Sequence, residues 1–270
     1  KSEEKSKGVA EILEMPSAED VLELTEDSYR KLKAENYEML GRLALKRKDT
    51  KTAIEYYLKA QKLDIVRSGR LGLNLAQVYA SEGKNEEALL RIDEFLQTQP
   101  LGTEAYELKI SLQKKMGKSK DIVPEIELAS SRDNHNNSLK LILARELRIN
   151  GQIPRAEAIY EEIANQAPST EVYHALFDLY RENKESGASR ALARLESSIQ
   201  AVSRKGGIPP DPSQGMQVKA MLLALKKDPE MLRKILDQAY NQLVKGGKIG
   251  LETKVALGTL ASRASELKAG

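Results

Sequence analysis

The chain contains two histidines, no cysteine and forty acidic residues. These residue types limit the chemistry it can perform. His135 lies in a run of loop formers, Asp133-Asn134-His135-Asn136-Asn137, and His174 lies 39 residues further on. A zinc site needs three or four His, Cys or carboxylate ligands converging on one point. Two distant histidines, with no H-E-x-x-H pattern, do not supply them. The lack of cysteine excludes disulfides, thiolate metal sites, iron–sulfur clusters and a cysteine nucleophile. Residues 245–250, KGGKIG, have the glycine and lysine content of a phosphate cradle. No strand-forming run precedes them, and the full G-x-x-x-x-G-K-[ST] pattern is absent, so they are expected to be a linker. There is no G-x-S-x-G elbow for a serine nucleophile. The carboxylates are spread through charged helical stretches and not through apolar ones that would raise a pKa for acid–base work. The expectation is a chain that is not an enzyme and holds no cofactor or metal.

The elements around these residues are helices. Of the 270 residues, 31% are charged and 40% hydrophobic, with no Trp and only two Phe. Ala, Leu, Glu, Lys and Gln, the strong helix formers, dominate. Four columns of residues recur at one spacing of 34. They are Gly83, Gly117 and Gly151; Pro100, Asn134 and Pro168; Ala88, Ile122 and Ala156; Ile92, Ile126 and Tyr160. Ala53 and Tyr57 precede Ala88 and Ile92 by 35, which adds a unit upstream with one residue more in its loop. A fixed period of this length marks an array of stacked supersecondary units. Within a unit, apolar residues keep helical spacing twice. In the unit ending at Pro168, Leu139, Ile142, Leu143, Ala144 and Leu147 form the first stripe. Asn150-Gly151 supplies a turn, Pro154 fits the first turn of the next helix, and Ala156, Ile159, Tyr160 and Ile163 form the second stripe.

A 34-residue helix–turn–helix period with these columns resembles the tetratricopeptide repeat family. The pattern is carried by Tyr37, Leu40, Gly41, Ala53, Tyr57 and Ala60 in the first unit. In the second it is Leu75, Ala76, Tyr79, Gly83, Ala88 and Pro100, and in the fourth Leu143, Ala144, Gly151, Ala156, Tyr160, Ala164 and Pro168. The third unit keeps Tyr106 and Gly117 but places Ile110 and Ile122 where the others have small residues. It also has Lys109 and Gln113 at apolar positions and Pro124 near the start of its second helix, so it is expected to be the weakest link, and Ile122→Ala is expected to be mild compared with Ala156→Ile. A fifth unit starts with Tyr173, Leu176 and Tyr180 and departs at Phe177 and at the longer turn Glu185-Ser186-Gly187. The resemblance implies an all-α right-handed α-solenoid of about five helix pairs with capping helices at both ends. The expected layout is a flexible tail over 1–16, a capping helix over 17–33, repeats over 34–202, a Gly/Pro-rich loop over 203–215 and divergent helices over 216–270.

The family's use of this scaffold implies a protein-interaction scaffold or adaptor, with a partner's peptide or helix held in a groove lined by the first helix of each pair. The residues placed there are Glu38, Arg42, Arg70, Asn74, Gln77, Glu107, Arg145, Arg148, His174, Asp178 and Arg181. One subfamily clamps the carboxylate end of heat-shock chaperones with Lys, Asn, Asn, Lys and Arg. The corresponding positions here are Glu38, Arg42, Asn74, Glu104 and Leu108, where only Asn74 agrees, so chaperone tails are not expected as partners. The alternative rests on charge. Residues 1–200 carry a net −3 and residues 201–270 a net +6. Lys219, Lys226, Lys227, Arg233, Lys234, Lys245 and Lys248 could therefore meet nucleic acid or an anionic membrane. No stretch reaches the ~20 apolar residues of a membrane span, so a cytoplasmic location is the expectation. The chain begins with Lys1, which points to a fragment or a processed form and leaves an upstream export signal or anchor open.

Overall fold

The computed structural model describes residues 26–63, 68–99, 102–203 and 212–269. Among these residues every regular element is a helix. The chain divides into two compact units, one ending at Asp133 and the other beginning at Asn134.

The first unit contains α1 (Glu26–Lys46), α2 (Thr50–Leu63), α3 (Ser68–Ser81), α4 (Asn85–Thr98), α5 (Thr103–Lys115) and α6 (Ile122–Arg132), with a short 3-10 turn at Ser119–Asp121 before α6. Its interior includes two successive cores, each built by three helices. Ala44 of α1, Ala53, Tyr57 and Ala60 of α2, and Leu71, Leu75 and Val78 of α3 make the first. Ala76 of α3, Ala88, Ile92 and Phe95 of α4, and Ala105 and Leu112 of α5 make the second. A helix pair is thus completed by the first helix of the next pair, and α3 faces both cores. That is the nearest-neighbour logic of a repeat array.

The small residues sit where the columns place them. A Cβ added at Gly41 would lie 2.7 Å from the Tyr57 ring, and Ala53, Ala76 and Ala88 are fully buried. The turns share one geometry. Gly83, Gly117 and Gly151 have φ of 76°, 73° and 76°. In each, the following N–H reaches back five residues: Lys84 to the Tyr79 carbonyl at 3.0 Å, Lys118 to Gln113 at 2.8 Å, and Gln152 to Leu147 at 2.9 Å. This is the Schellman end of a helix, which needs a left-handed residue just past the last turn. The first repeat has no glycine there. Lys48 takes the position with φ 62°, and Asp49 N–H bonds the Ala44 carbonyl at 3.0 Å.

The second unit contains α7 (Asn137–Ile149), α8 (Ile153–Gln166), α9 (Thr170–Glu182), α10 (Gly187–Ser203), α11 (Pro212–Lys227), α12 (Pro229–Val244) and α13 (Leu251–Ala269). Caps stand where side chains can accept orphan N–H groups: Asn136 for Leu139, Ser169 for Val172 and Asp228 for Met231. Phe177, at a position expected to be small, is fully buried between Tyr173 and Tyr180, with ring centroids 6.0 and 6.5 Å away. The turn into α10 is closed by Asn183, whose side chain accepts the N–H groups of Glu185 and Ser186. Glycine is required at 187, because a Cβ there would sit 1.7 Å from the Tyr180 carbonyl oxygen.

Three expectations change. The boundary at 33/34 between a capping helix and the first repeat falls inside α1, which is continuous because nothing from Glu26 to Leu40 breaks a helix; residues 17–25 lie outside the described ones. The loop expected to end at 215 ends earlier, since α11 begins at Pro212, a residue suited to a first turn. Residues 204–211 of that loop are likewise outside the described ones. In the third repeat, the second helix is shortened as Pro124 demands, to 11 residues against 14 for α2, α4 and α8. Yet α6 buries no fewer side chains than those helices, and Ile122 is only 1% exposed, so Ile122→Ala would leave a cavity whatever its cost beside Ala156→Ile.

Lys48→Gly is expected to stabilise the chain by about 0.5–1 kcal/mol, because glycine adopts the left-handed turn without a Cβ penalty. Gly41→Ala is expected to cost about 1–3 kcal/mol by driving a methyl into Tyr57. Urea midpoints of the two variants check both; an unchanged or lower midpoint for Lys48→Gly would contradict the turn analysis.

Candidate functional site

Groove residues of the first unit come from α1, α3 and α5. Glu38 is buried at 5% exposure and paired with the exposed Arg42 one turn on. Asn74 and Gln77 are half-buried on α3. Gln77 Nε2 donates to Glu104 Oε1 of α5 at 3.3 Å, which ties neighbouring first helices together, while Asn74 Nδ2 is shielded from solvent without a protein acceptor. Glu107 is exposed on α5. The side chain of Arg70 lies outside the described ones.

In the second unit the structure joins three of the expected residues in one charge network. Arg148 of α7 grips Glu182 of α9, with Nε 3.1 Å from Oε1, and stands 4.0 Å from Asp178. Arg181 pairs with Asp178 and reaches Asp228 at 3.3 Å and Glu230 at 3.7 Å at the start of α12. Arg145 is exposed and lies 3.6 Å from Glu146, and His174 is half-buried on α9. Glu182, Asp228 and Glu230 were not among the sequence candidates. For Glu182 a signal was present, because it lies one period of 34 from Arg148. Opposite charges one repeat apart occupy equivalent places on successive helices and can meet.

The same rule builds a network on the second helices. Arg190 of α10 grips Glu157 of α8, 33 residues before it, and stacks over the Tyr180 ring at 4.9 Å. Arg194 stands 3.6 Å from Glu161 and donates to Asn165 at 2.9 Å. The Tyr180 hydroxyl donates to Glu161 at 3.1 Å. Burial, aided by the Glu161 charge, pushes the Tyr180 phenol up to about 12. A polar cavity of about 600 Å³ opens beside these groups, but both its arginines are already held by carboxylates. Among the described residues no group of three or more His, Cys, Asp or Glu could hold a metal ion, and no helix is long and apolar enough to cross a membrane. Of the cations proposed for an anionic surface, Lys234 pairs with Glu230 at 2.9 Å and Arg233 stands 4.0 Å from Asp237. Lys219, Lys226, Lys227, Lys245 and Lys248 are exposed.

Helix pairs at a 34-residue period, small residues at the close approaches and the left-handed turn residue together define an all-α helical repeat protein, the fold that the tetratricopeptide resemblance implied. No family model and no curated protein matches the chain. Solved structures do. The crystal structure of MamA is 16% identical, with 74% of this chain and 94% of that one covered at a TM-score of 0.44. YrrB, described as a TPR protein with an unusual peptide-binding site, is 17% identical over 69% and 91%, at 0.41. A tetratricopeptide repeat protein from Parabacteroides merdae is 16% identical over 85% of each chain, at 0.45.

Two outcomes follow from the site geometry. Asp228 is buried, caps α12 through the Met231 N–H at 3.0 Å, and receives Arg181. Asp228→Ala is expected to cost about 2–4 kcal/mol, and Asp228→Asn, which keeps a capping oxygen, about half as much; denaturant midpoints check the order. Burial also raises Tyr57, Tyr106, Tyr160 and Tyr173. Unfolded tyrosines lose their protons near pH 10, so above that pH the folded state binds more protons than the unfolded one. Stability is therefore complete below about pH 10 and falls as pH rises towards the Tyr180 value. Tyr180→Phe is expected to flatten that fall, measured by urea midpoints at alkaline pH; an equal slope in the variant would remove Tyr180 from the account.

Proposed function

We propose that this chain is a protein-interaction scaffold that takes an extended peptide or a partner's helix on the first-helix faces of its repeats. The observation that carries the proposal is the ordered polar surface of those faces. Side chains on successive first helices are fixed against one another, as Gln77 to Glu104 and Arg148 to Glu182, while Arg42, Glu107 and Arg145 stay exposed beside them. Groups held in advance lose little rotamer freedom when a ligand arrives, so they bind more strongly than the same groups on a mobile surface. Exposed carboxylates and guanidinium groups lie on the same faces, which suits a polar segment carrying both signs better than a ligand of one charge. The buried small residues and tyrosines of the repeat columns are core and set the position of these faces without reaching a ligand.

The test is selection of linear peptides from a random display library on the whole chain, followed by titration of the winners. Arg42→Glu, Glu107→Lys and Arg145→Glu change exposed side chains; Arg42 and Arg145 also partner the buried Glu38 and Glu146, so thermal unfolding of each variant is measured alongside. At least one of them is expected to weaken a selected peptide by about tenfold or more. Winners indifferent to all three variants, or no enrichment at all, would overturn the proposal.

A further inference from the structure

The C-terminal hairpin carries a second surface of a different kind. Eleven large hydrophobic side chains are exposed among the described residues, and five of them, Tyr240, Leu243, Val244, Leu251 and Val255, fall within one stretch of sixteen residues. Scattered exposed apolar residues are ordinary, but a cluster is not. Tyr240, Val244, Leu251 and Val255 are 69%, 67%, 72% and 60% exposed. They stand on the last turn of α12 and the first turns of α13, on either side of one tight connection. That connection is fixed. Gly246 has φ 79°, Gly247 N–H bonds the Gln242 carbonyl at 2.9 Å, Gln242 Nε2 donates to the Lys248 carbonyl at 3.1 Å, and Ile249 is buried. Gly250 N–H donates to Glu196 of α10 at 2.8 Å, which pins the start of α13 to the rest of the unit.

The composition of α13 explains the exposure. A surface helix has one apolar stripe and a charged back. α13 buries Thr253, Leu257 and Leu260 and exposes Leu251, Val255, Gly258, Thr259 and Ser262 along one uncharged stripe, with Glu252 and Lys254 exposed beside it. Among its described side chains, an apolar and small-residue stripe therefore faces outward as well as inward. Nothing lies within 4 Å of a Cβ added at Gly258, so another backbone can approach closely there. In the first unit, α3 covers the α1–α2 pair and α5 covers α3–α4. The exposed apolar residues of α12 and α13 are covered by no helix among the described residues. The rim is mainly cationic: Lys245, Lys248 and Lys254 are exposed and form no ion pair among the described residues, beside Glu252 and Glu196, the second of which is engaged by the Gly250 N–H.

We propose that the α12–α13 hairpin is a second docking surface, which takes an amphipathic helix of a partner protein. Its apolar stripe seats on Tyr240, Val244, Leu251 and Val255, and its flanking carboxylates meet Lys245, Lys248 and Lys254. Apolar burial drives the association and charge sets which helices are accepted. The surface is independent of the first-helix faces, and either proposal can fail without the other.

The test uses the whole chain as bait for a display library of single helices randomised on one face. Enriched helices are expected to carry Asp or Glu beside an apolar stripe. Their affinity is expected to fall at least about tenfold for the Leu251→Glu/Val255→Glu double variant and for Tyr240→Ala, and to be unchanged for Arg145→Glu. All the substituted side chains are exposed, and unchanged thermal unfolding of each variant confirms that its fold is intact. Failure to enrich, enrichment of neutral or basic helices, or indifference to both hairpin variants overturns the proposal. So does self-association of the chain in sedimentation that the double variant abolishes, which assigns the face to a second copy. Sedimentation with phosphatidylserine-containing vesicles that the double variant abolishes assigns it to a membrane and overturns it equally.

Discussion

The close approach of paired helices at small residues is the constraint on which the rest of the chain depends. Tyr57 lies across Gly41 with no room for a methyl group, and Ala53, Ala76, Ala88, Ala144 and Ala156 hold equivalent contacts without exposure. Interiors pack at crystal-like density, so a pair separated by one extra side chain would be displaced by ångströms and not by tenths. The displacement would pass to the next pair, because α3 and α5 each complete the core before them. The spacing of 34 is thus the sequence imprint of a geometric requirement, namely that each pair must present the next one with the same ledge.

With the pairs fixed, charged side chains one period apart come to face each other. Arg148 meets Glu182, Arg190 meets Glu157, and Arg194 approaches Glu161. Such pairs at a partly exposed surface contribute little stability each. Their larger effect is on availability. Arg148 and Arg181 are 27% and 32% exposed beside their carboxylates, whereas Arg42 and Arg145, also beside Glu38 and Glu146, are 50% and 44% exposed. If these faces take a ligand as proposed, its selection falls to the more exposed charges and to polar groups such as Gln77, while the more enclosed pairs hold the helices in register.

Much of the fold was legible because it rests on residue types with a single physical meaning. Glycine at 83, 117 and 151 marked the left-handed turns, Pro154 a first helical turn and Asp228 a cap. Lys48 was not legible, because lysine carries no signal for positive φ and takes that conformation only because the pair on either side of it is fixed. The continuity of α1 across residues 33 and 34 was missed for the opposite reason: a run without breakers does not show where one helix should stop. Of the groove residues, the sequence could place side chains on a helix face but not say which would be consumed by partners, since Asp228 and Glu230 reach Arg181 from a helix 47 or more residues away that follows no repeat register.

The third repeat shows how the array tolerates a poor copy of its own pattern. Lys109 and Gln113 stand where apolar residues serve elsewhere, yet neither is left unsatisfied. Lys109 Nζ lies 2.8 Å from both Asp93 and Glu125, and Gln113 donates to the same Glu125 at 3.1 Å. Burial alone would lower the Lys109 pKa, but the two carboxylates outweigh it and hold the ammonium above its usual range. A charged cluster of this kind adds less than well-packed leucines would, because desolvation offsets the attraction. What it adds is position: one lysine on α5 is fixed to α4 through Asp93 and to α6 through Glu125. The shortened α6 still buries Ile122, Val123, Ile126, Ala129 and Ser130, no fewer side chains than α2, α4 or α8. A pair that departs from the repeat columns can therefore keep its place in the stack when directional contacts satisfy the polar residues its interior admits, and the compact unit ends directly after this pair, at Asp133.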